Sequence, residues 1–221
     1  DSFTLNEDKV VDGYRRIFIA KDVIINTKNF LLKIKADQLV APNLNIISFN
    51  SDDNSREGLS GQNGGLIDLK LRTGVGSIHI QMRGQNGGRG ATGAEVPPDV
   101  IISCSPIIGG QACDPVALVP NPQKPENYPV ALPGRSGGQG FPGGNAGSVL
   151  IEITQTHQLK FTHTIEPGLG GEGGPGGPGQ MVIRDNITYY GKTGNVGAKG
   201  PEGMSGSYCF LDIQSSFCIN N

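Results

Sequence analysis

The side chains able to do chemistry are few, and their spacing argues against most of it. The three histidines, His79, His157 and His163, have no i,i+4 partner and no neighbouring cysteine, so they lack helical metal-ligand spacing. His79 is expected to face solvent. His163 is in phase with the apolar Phe161 and Ile165 and reads as a core histidine with a hydrogen-bond partner. The four cysteines form two C-x8-C pairs, Cys104/Cys113 and Cys209/Cys218, without the C-x-x-C spacing of zinc or redox sites. Two local disulfides are the simplest reading, because short loops close at the least entropic cost. Four cysteines admit other connectivities, and four buried thiols are the alternative. Disulfides imply an oxidising compartment: secreted, cell surface or periplasmic.

Asp52, Asp53, Asn54 and Glu57 cluster oxygens without the calcium-loop pattern, so they read as a solvated turn. Asn186-Ile187-Thr188 is a glycosylation sequon, expected in a hairpin turn. The G-x-G strings neither follow a parallel strand nor open a helix. The expectation is therefore a protein without catalytic residues, cofactor or metal.

The elements that position these groups must be unusual. Of 221 residues, 35 are Gly and 15 are Pro, Trp is absent, and the formal net charge is −2. That charge gives no broad footprint for nucleic acid, and apolar runs are far shorter than the ~20 residues of a membrane span. The opening residues, Asp1-Ser2-Phe3-Thr4, do not read as a signal peptide, so the chain is expected to start after a cleaved leader or inside a longer protein.

The strongest signal is glycine at every third position. It recurs at Gly58 to Gly64, Gly84 to Gly93, Gly134 to Gly143, Gly168 to Gly177 and Gly191 to Gly206. A polyproline-II-type backbone has three residues per turn and no internal hydrogen bonds, so each run forms a helix with one bare stripe where a neighbouring backbone can approach and bond laterally. The fourth run carries a second glycine register, Gly170 to Gly179, and is expected at the centre. The second and third runs, with small residues on a further face, are expected inside, and the first and fifth at the edge. Collagen needs longer uninterrupted arrays in three chains, so an intrachain bundle fits better.

Between the runs the period drops to two. Ile67, Leu69 and Leu71 alternate with polar residues, Thr73-Gly74-Val75-Gly76 reads as a turn, and Ile78, Ile80 and Met82 return, predicting a hairpin. Val149 to Ile153 and Leu159 to Ile165 around a turn at Gln155 to Gln158 predict a second, and Met181 to Tyr189 a third. Phe30 to Ala36 and Leu44 to Phe49 suggest an earlier copy. The expected fold is all-β or irregular: antiparallel β-hairpins alternating with a bundle of polyglycine-II helices, with essentially no α-helix. The expected organisation is a single domain over 1–221, with N-terminal strands in 1–57, hairpin and glycine-helix repeats in 58–206, and a disulfide-stapled cap in 207–221. A Pro-rich loop over 95–132, carrying Cys104 and Cys113, interrupts the repeats, and loops of that length are usually functional or disordered.

The triplet runs, such as Gly134-Arg135-Ser136-Gly137-Gly138-Gln139-Gly140 and Gly168 to Gly179, resemble the glycine-rich motifs of tailed-phage fibre-tip adhesins, and also glycine-rich antifreeze proteins built from such bundles. The resemblance covers the five runs and implies a polyglycine-II architecture with a surface-display role. On that reading the protein is an extracellular, adhesin-like binding module that presents its long loop, with Lys124, Asn127, Tyr128 and Arg135 as ligand-contacting residues, to a cell-surface glycan or protein. The alternative is a purely structural fibre or envelope component whose partners are neighbouring subunits. Neither reading involves nucleic acid or a membrane span, and an oligomer is compatible with both.

Overall fold

The computed structural model describes residues 1–96, 101–107, 110–116, 131–184, 187–212 and 216–220. All regular elements among them are strands. The chain forms two compact units: one of residues 1–89, 140–172 and 199–221, the other of residues 90–139 and 173–198.

The first unit is built on an eight-stranded mixed sheet. Its strands are β1 (Ser2–Thr4), β2 (Lys9–Phe18), β3 (Val23–Asn26), β4 (Leu31–Ile47), β5 (Leu66–Arg83), β8 (Ser148–Glu166), β11 (Ser207–Leu211) and β12 (Ser216–Asn220). The three long strands lie side by side and parallel, with Ile34 beside Leu69 and Leu69 beside Ile151. Both β2 and β3 pair with β4, along its first and last parts. β11 joins β8 in parallel, and only the last pair, β11 with β12, is antiparallel.

This arrangement corrects the expected hairpins over 67–82 and 149–165, and the earlier copy over 30–49. Each is one continuous strand paired in parallel with its neighbours. The alternation of Ile67 to Leu71 and Ile78 to Met82 is real, but the residues between them bend the strand instead of reversing it. Register shifts fall between Ala41 and Leu44 in β4 and between Thr73 and Val75 in β5, the residues of β5 opposing Gln155 and Gln158 of β8. Such bulges add a residue and sharpen the bend. At this level Gly76 has φ +116°, and a Cβ there would collide with the carbonyl of Ala41, so only glycine fits.

The inward phase records the bends. In β4 the buried apolar residues run Leu32, Ile34, Ala36, then Leu39, Ala41, then Leu44, Ile46, so the alternation slips twice and the strand turns two corners. In β5, bent in the same way, the two ends come near one another: Gly64, just before the strand, abuts the carbonyl of Arg83 at its end. Thr27 donates its amide to Ile47 at 2.7 Å, tying the end of one coil to the end of the next. The unit is thus a stack of parallel coils around one core that includes Leu39, Ile46, Leu69, Ile80 and Ile151. Burying such side chains contributes about 1.5–3 kcal/mol each, which offsets the shortage of aromatics.

In the second unit, β6 (Ile101–Ile107) pairs antiparallel with β7 (Gly110–Val116), and β9 (Met181–Arg184) pairs antiparallel with β10 (Ile187–Tyr190).

Candidate functional site

The glycine runs leave the strands as out-and-back excursions, and their amides bond laterally. In the first unit, Gly144 donates to Gln85 and Gly168 to Gly144, each at 2.8 Å. Gly61 donates to Pro142 at 2.9 Å and Gly143 to Pro201 at 3.0 Å. The third run therefore touches the first, second, fourth and fifth. The fourth run, expected at the centre, meets the second, third and fifth. Phe141 does not keep the third run from the interior, because its backbone carbonyl, not its ring, faces Gly87 and Gly200.

In the second unit the same pattern continues, with Gly174 donating to Gly138, Gly197 to Gly174 and Gly138 to Ala91. It ends in a knot of three chain segments. Gln180 donates its amide to Leu132 at 2.9 Å, its side-chain oxygen accepts from the Leu132 amide at 3.1 Å, and Gly191 donates to Gln180 at 2.8 Å. Gln180 is buried, while Leu132 is 42% exposed. The return of the long loop and both feet of the β9–β10 hairpin are fixed to one another at this point.

Of the residues expected to contact a ligand, Lys124, Asn127 and Tyr128 lie outside the described residues. Arg135 is exposed, and its backbone carbonyl accepts from Gly177 at 2.8 Å. The backbone sets Cys104 opposite Cys113 in the β6–β7 ladder, and their side chains lie outside the described residues. Cys209 and Cys218 form a disulfide across β11 and β12. Asn186 of the sequon lies outside the described residues, with its neighbour Ile187 opening β10.

Sequence reasoning missed an open groove of about 830 Å³ in the first unit, crossing successive coils near their corners. Its charges run in a cross-strand row: Lys35 pairs with Asp12 at 3.7 Å, and Lys70 with Glu152 at 3.0 Å. Lys35 and Lys70 are register neighbours of like charge, and each is relieved by a carboxylate on its far side. The hydrogen bond and charge of Glu152 raise the Lys70 pKa above the usual lysine range. Arg72 faces Asp37 at 3.9 Å, and Tyr14 also lines the groove, 60% exposed. The signal lies in the charges at outward strand positions, but they combine only once the parallel register is known.

The remaining chemistry is structural. His79 is exposed and shares a 2.7 Å hydrogen bond with Thr162. The imidazole of His163 stacks on Tyr208 at 3.7 Å between ring centroids, but the residue is exposed, which corrects the expectation of a core histidine. Partial desolvation lowers the His163 pKa, and burial raises that of Tyr208. Asp53 closes its turn by accepting from the Asn50 amide at 2.8 Å and pairing with Lys28 at 3.3 Å. Among the described residues no three His, Cys, Asp or Glu side chains converge as metal ligands, and no helix is long and apolar enough to cross a membrane. Comparison with protein-family models, with curated proteins and with solved structures finds no match to this chain.

Proposed function

We propose that the five glycine runs form a polyglycine-II-type bundle and that the protein is an extracellular, adhesin-like binding module. The bundle presents the 95–132 loop and the β9–β10 hairpin to a cell-surface glycan or protein. The observation that carries this reading is the hydrogen-bonded knot of Leu132, Gln180 and Gly191, which ties the feet of both excursions to one another. A fixed base lowers the ordering entropy that a displayed loop loses on binding. The disulfide between Cys209 and Cys218 supports an oxidising compartment. The paired, mutually neutralised side chains of the first unit favour recognition over catalysis.

The test is binding of the intact, oxidised protein to a printed glycan array and to whole cells, repeated with Lys124, Asn127, Tyr128 and Arg135 all changed to alanine and with 97–131 replaced by a Gly-Ser linker. Display predicts that both variants lose binding while keeping the fold. Undiminished binding by both removes the loop from the site. Absence of any binding by the parent protein, together with self-assembly in sedimentation, favours a structural fibre component instead.

A further inference from the structure

We propose that the groove in the first unit is a second binding site, independent of the displayed loops, and that its ligand is a neutral oligosaccharide lying across the parallel strands. Four features argue for this class. The charges cancel locally: Asp12, Asp37 and Glu152 stand against Lys35, Lys70 and Arg72, so no net potential is left to attract a polyanion or a polycation. The paired groups nevertheless remain partly open, with Lys70 and Glu152 side chains 35% and 40% exposed. Their free donor and acceptor positions are pre-oriented for hydroxyl groups, which both donate and accept.

The second feature is Tyr14, whose ring stands exposed in the groove. An exposed aromatic offers a large apolar face at low entropic cost, suited to the C–H face of a pyranose. Third, neighbouring strands stand about 4.8 Å apart, close to the length of one sugar unit. Consecutive sugars would therefore meet Lys35, Lys70 and Glu152 in turn on β4, β5 and β8. Fourth, the groove fits a peptide poorly. Its floor residues Ala36, Leu71 and Ile153 are 8%, 4% and 3% exposed, so no pocket receives an apolar anchor. The central strand β5 is already paired on both sides, so a peptide cannot add to it as a strand.

Isothermal titration of the full oxidised chain with cellohexaose, xylohexaose, mannohexaose and chitohexaose tests the proposal, with a heparin hexasaccharide and an extended decapeptide as the other ligand classes. At least one neutral hexaose is expected to bind saturably. Tyr14→Phe should keep that affinity, while Tyr14→Ala and Glu152→Gln each weaken it about tenfold or more, equivalent to at least ~1.4 kcal/mol. Circular dichroism checks that each variant is folded. Replacing 97–131 by a linker should leave the hexaose affinity unchanged. The proposal falls if no neutral hexaose binds, if only heparin or the peptide binds, or if folded Tyr14→Ala and Glu152→Gln bind like the parent. Loss of hexaose binding in the loop replacement alone would move the sugar site to the loop, overturning the groove and leaving the display reading intact.

Discussion

Gly171 donates its amide to the carbonyl of Phe141 at 2.8 Å, and a Cβ on Gly171 would collide with the carbonyl of Gly88. One backbone position thus serves two neighbouring runs: its donor is satisfied by the third, and its bare α-carbon lets the second come close. Gly171→Ala must push backbone apart, and overpacking of that kind costs about 1–3 kcal/mol. At Gly138 the nearest atom to an added Cβ is 3.1 Å away, so Gly138→Ala is expected to cost less than about 1 kcal/mol. Urea denaturation of the two variants compares them; equal midpoints would mean that the close approach at Gly171 does not hold the bundle.

Hydrogen exchange should show a period of three. The amides of Gly168 and Gly171 in the first unit, and of Gly174 and Gly177 in the second, each donate to a backbone carbonyl at 2.8 Å. Leu169 is protected as well, donating to the side chain of Asn86 at 3.0 Å. The amide of Glu172, whose residue is exposed, is expected to exchange far faster than that of Gly171. Uniformly rapid exchange through 168–177 would contradict the lateral bonding.

The Cys209–Cys218 disulfide closes the last hairpin over the open end of the coil stack, where Phe210 meets Phe161 edge-on at 5.7 Å. A loop this short contributes about 2–3 kcal/mol through the entropy of the unfolded chain. Cys209→Ser with Cys218→Ser should lower stability by roughly that amount, and near-ultraviolet circular dichroism should change as the aromatic cap loosens. An unchanged denaturation midpoint would show that the cap is held by packing alone.

Partial desolvation lowers the pKa of His163 in the folded protein from its ordinary 6.5. The neutral imidazole is therefore favoured by folding, and below pH 6.5 the unfolded chain takes up its proton first. The stability this supports is complete above pH 6.5 and declines as pH falls through the lowered folded value. His163→Phe keeps an aromatic partner for Tyr208 and should flatten that part of the stability profile. If the parent and variant profiles run parallel between pH 7 and 5, the histidine is not linked to folding.

Asp68 is 8% exposed and its carboxylate meets Lys33 at 2.9 Å. Removing the cation leaves a buried charge uncompensated, which costs 3–5 kcal/mol in a fully buried pair. Because the Lys33 side chain is 34% exposed, Lys33→Met is expected to lose only about 1–2 kcal/mol. Lys33→Met with Asp68→Leu should recover most of it. A double variant no more stable than the single one would locate the effect elsewhere.

Local chemistry by itself determined the all-strand character, the apolar alternation of Ile67 to Met82 and Val149 to Ile165, and the glycine phase. These depend on the two-residue period of a strand and on the steric bareness of glycine, which are properties of neighbouring residues. The Cys209–Cys218 pairing was equally local. Strand direction was not. An alternating segment, a small polar interruption and another alternating segment spell a hairpin and a bent strand identically, and Thr73-Gly74-Val75-Gly76 satisfies either. Burial decided between them: only parallel stacking sets Ile67 beside Val149, Ile80 beside Ile46 and Met82 beside Ile165. The groove followed from the same choice, because Lys70 and Glu152 lie 82 residues apart in sequence and become partners only through the parallel register. The place of the third run among its neighbours was likewise tertiary, since a run's own glycines show that others can approach it but not which ones do.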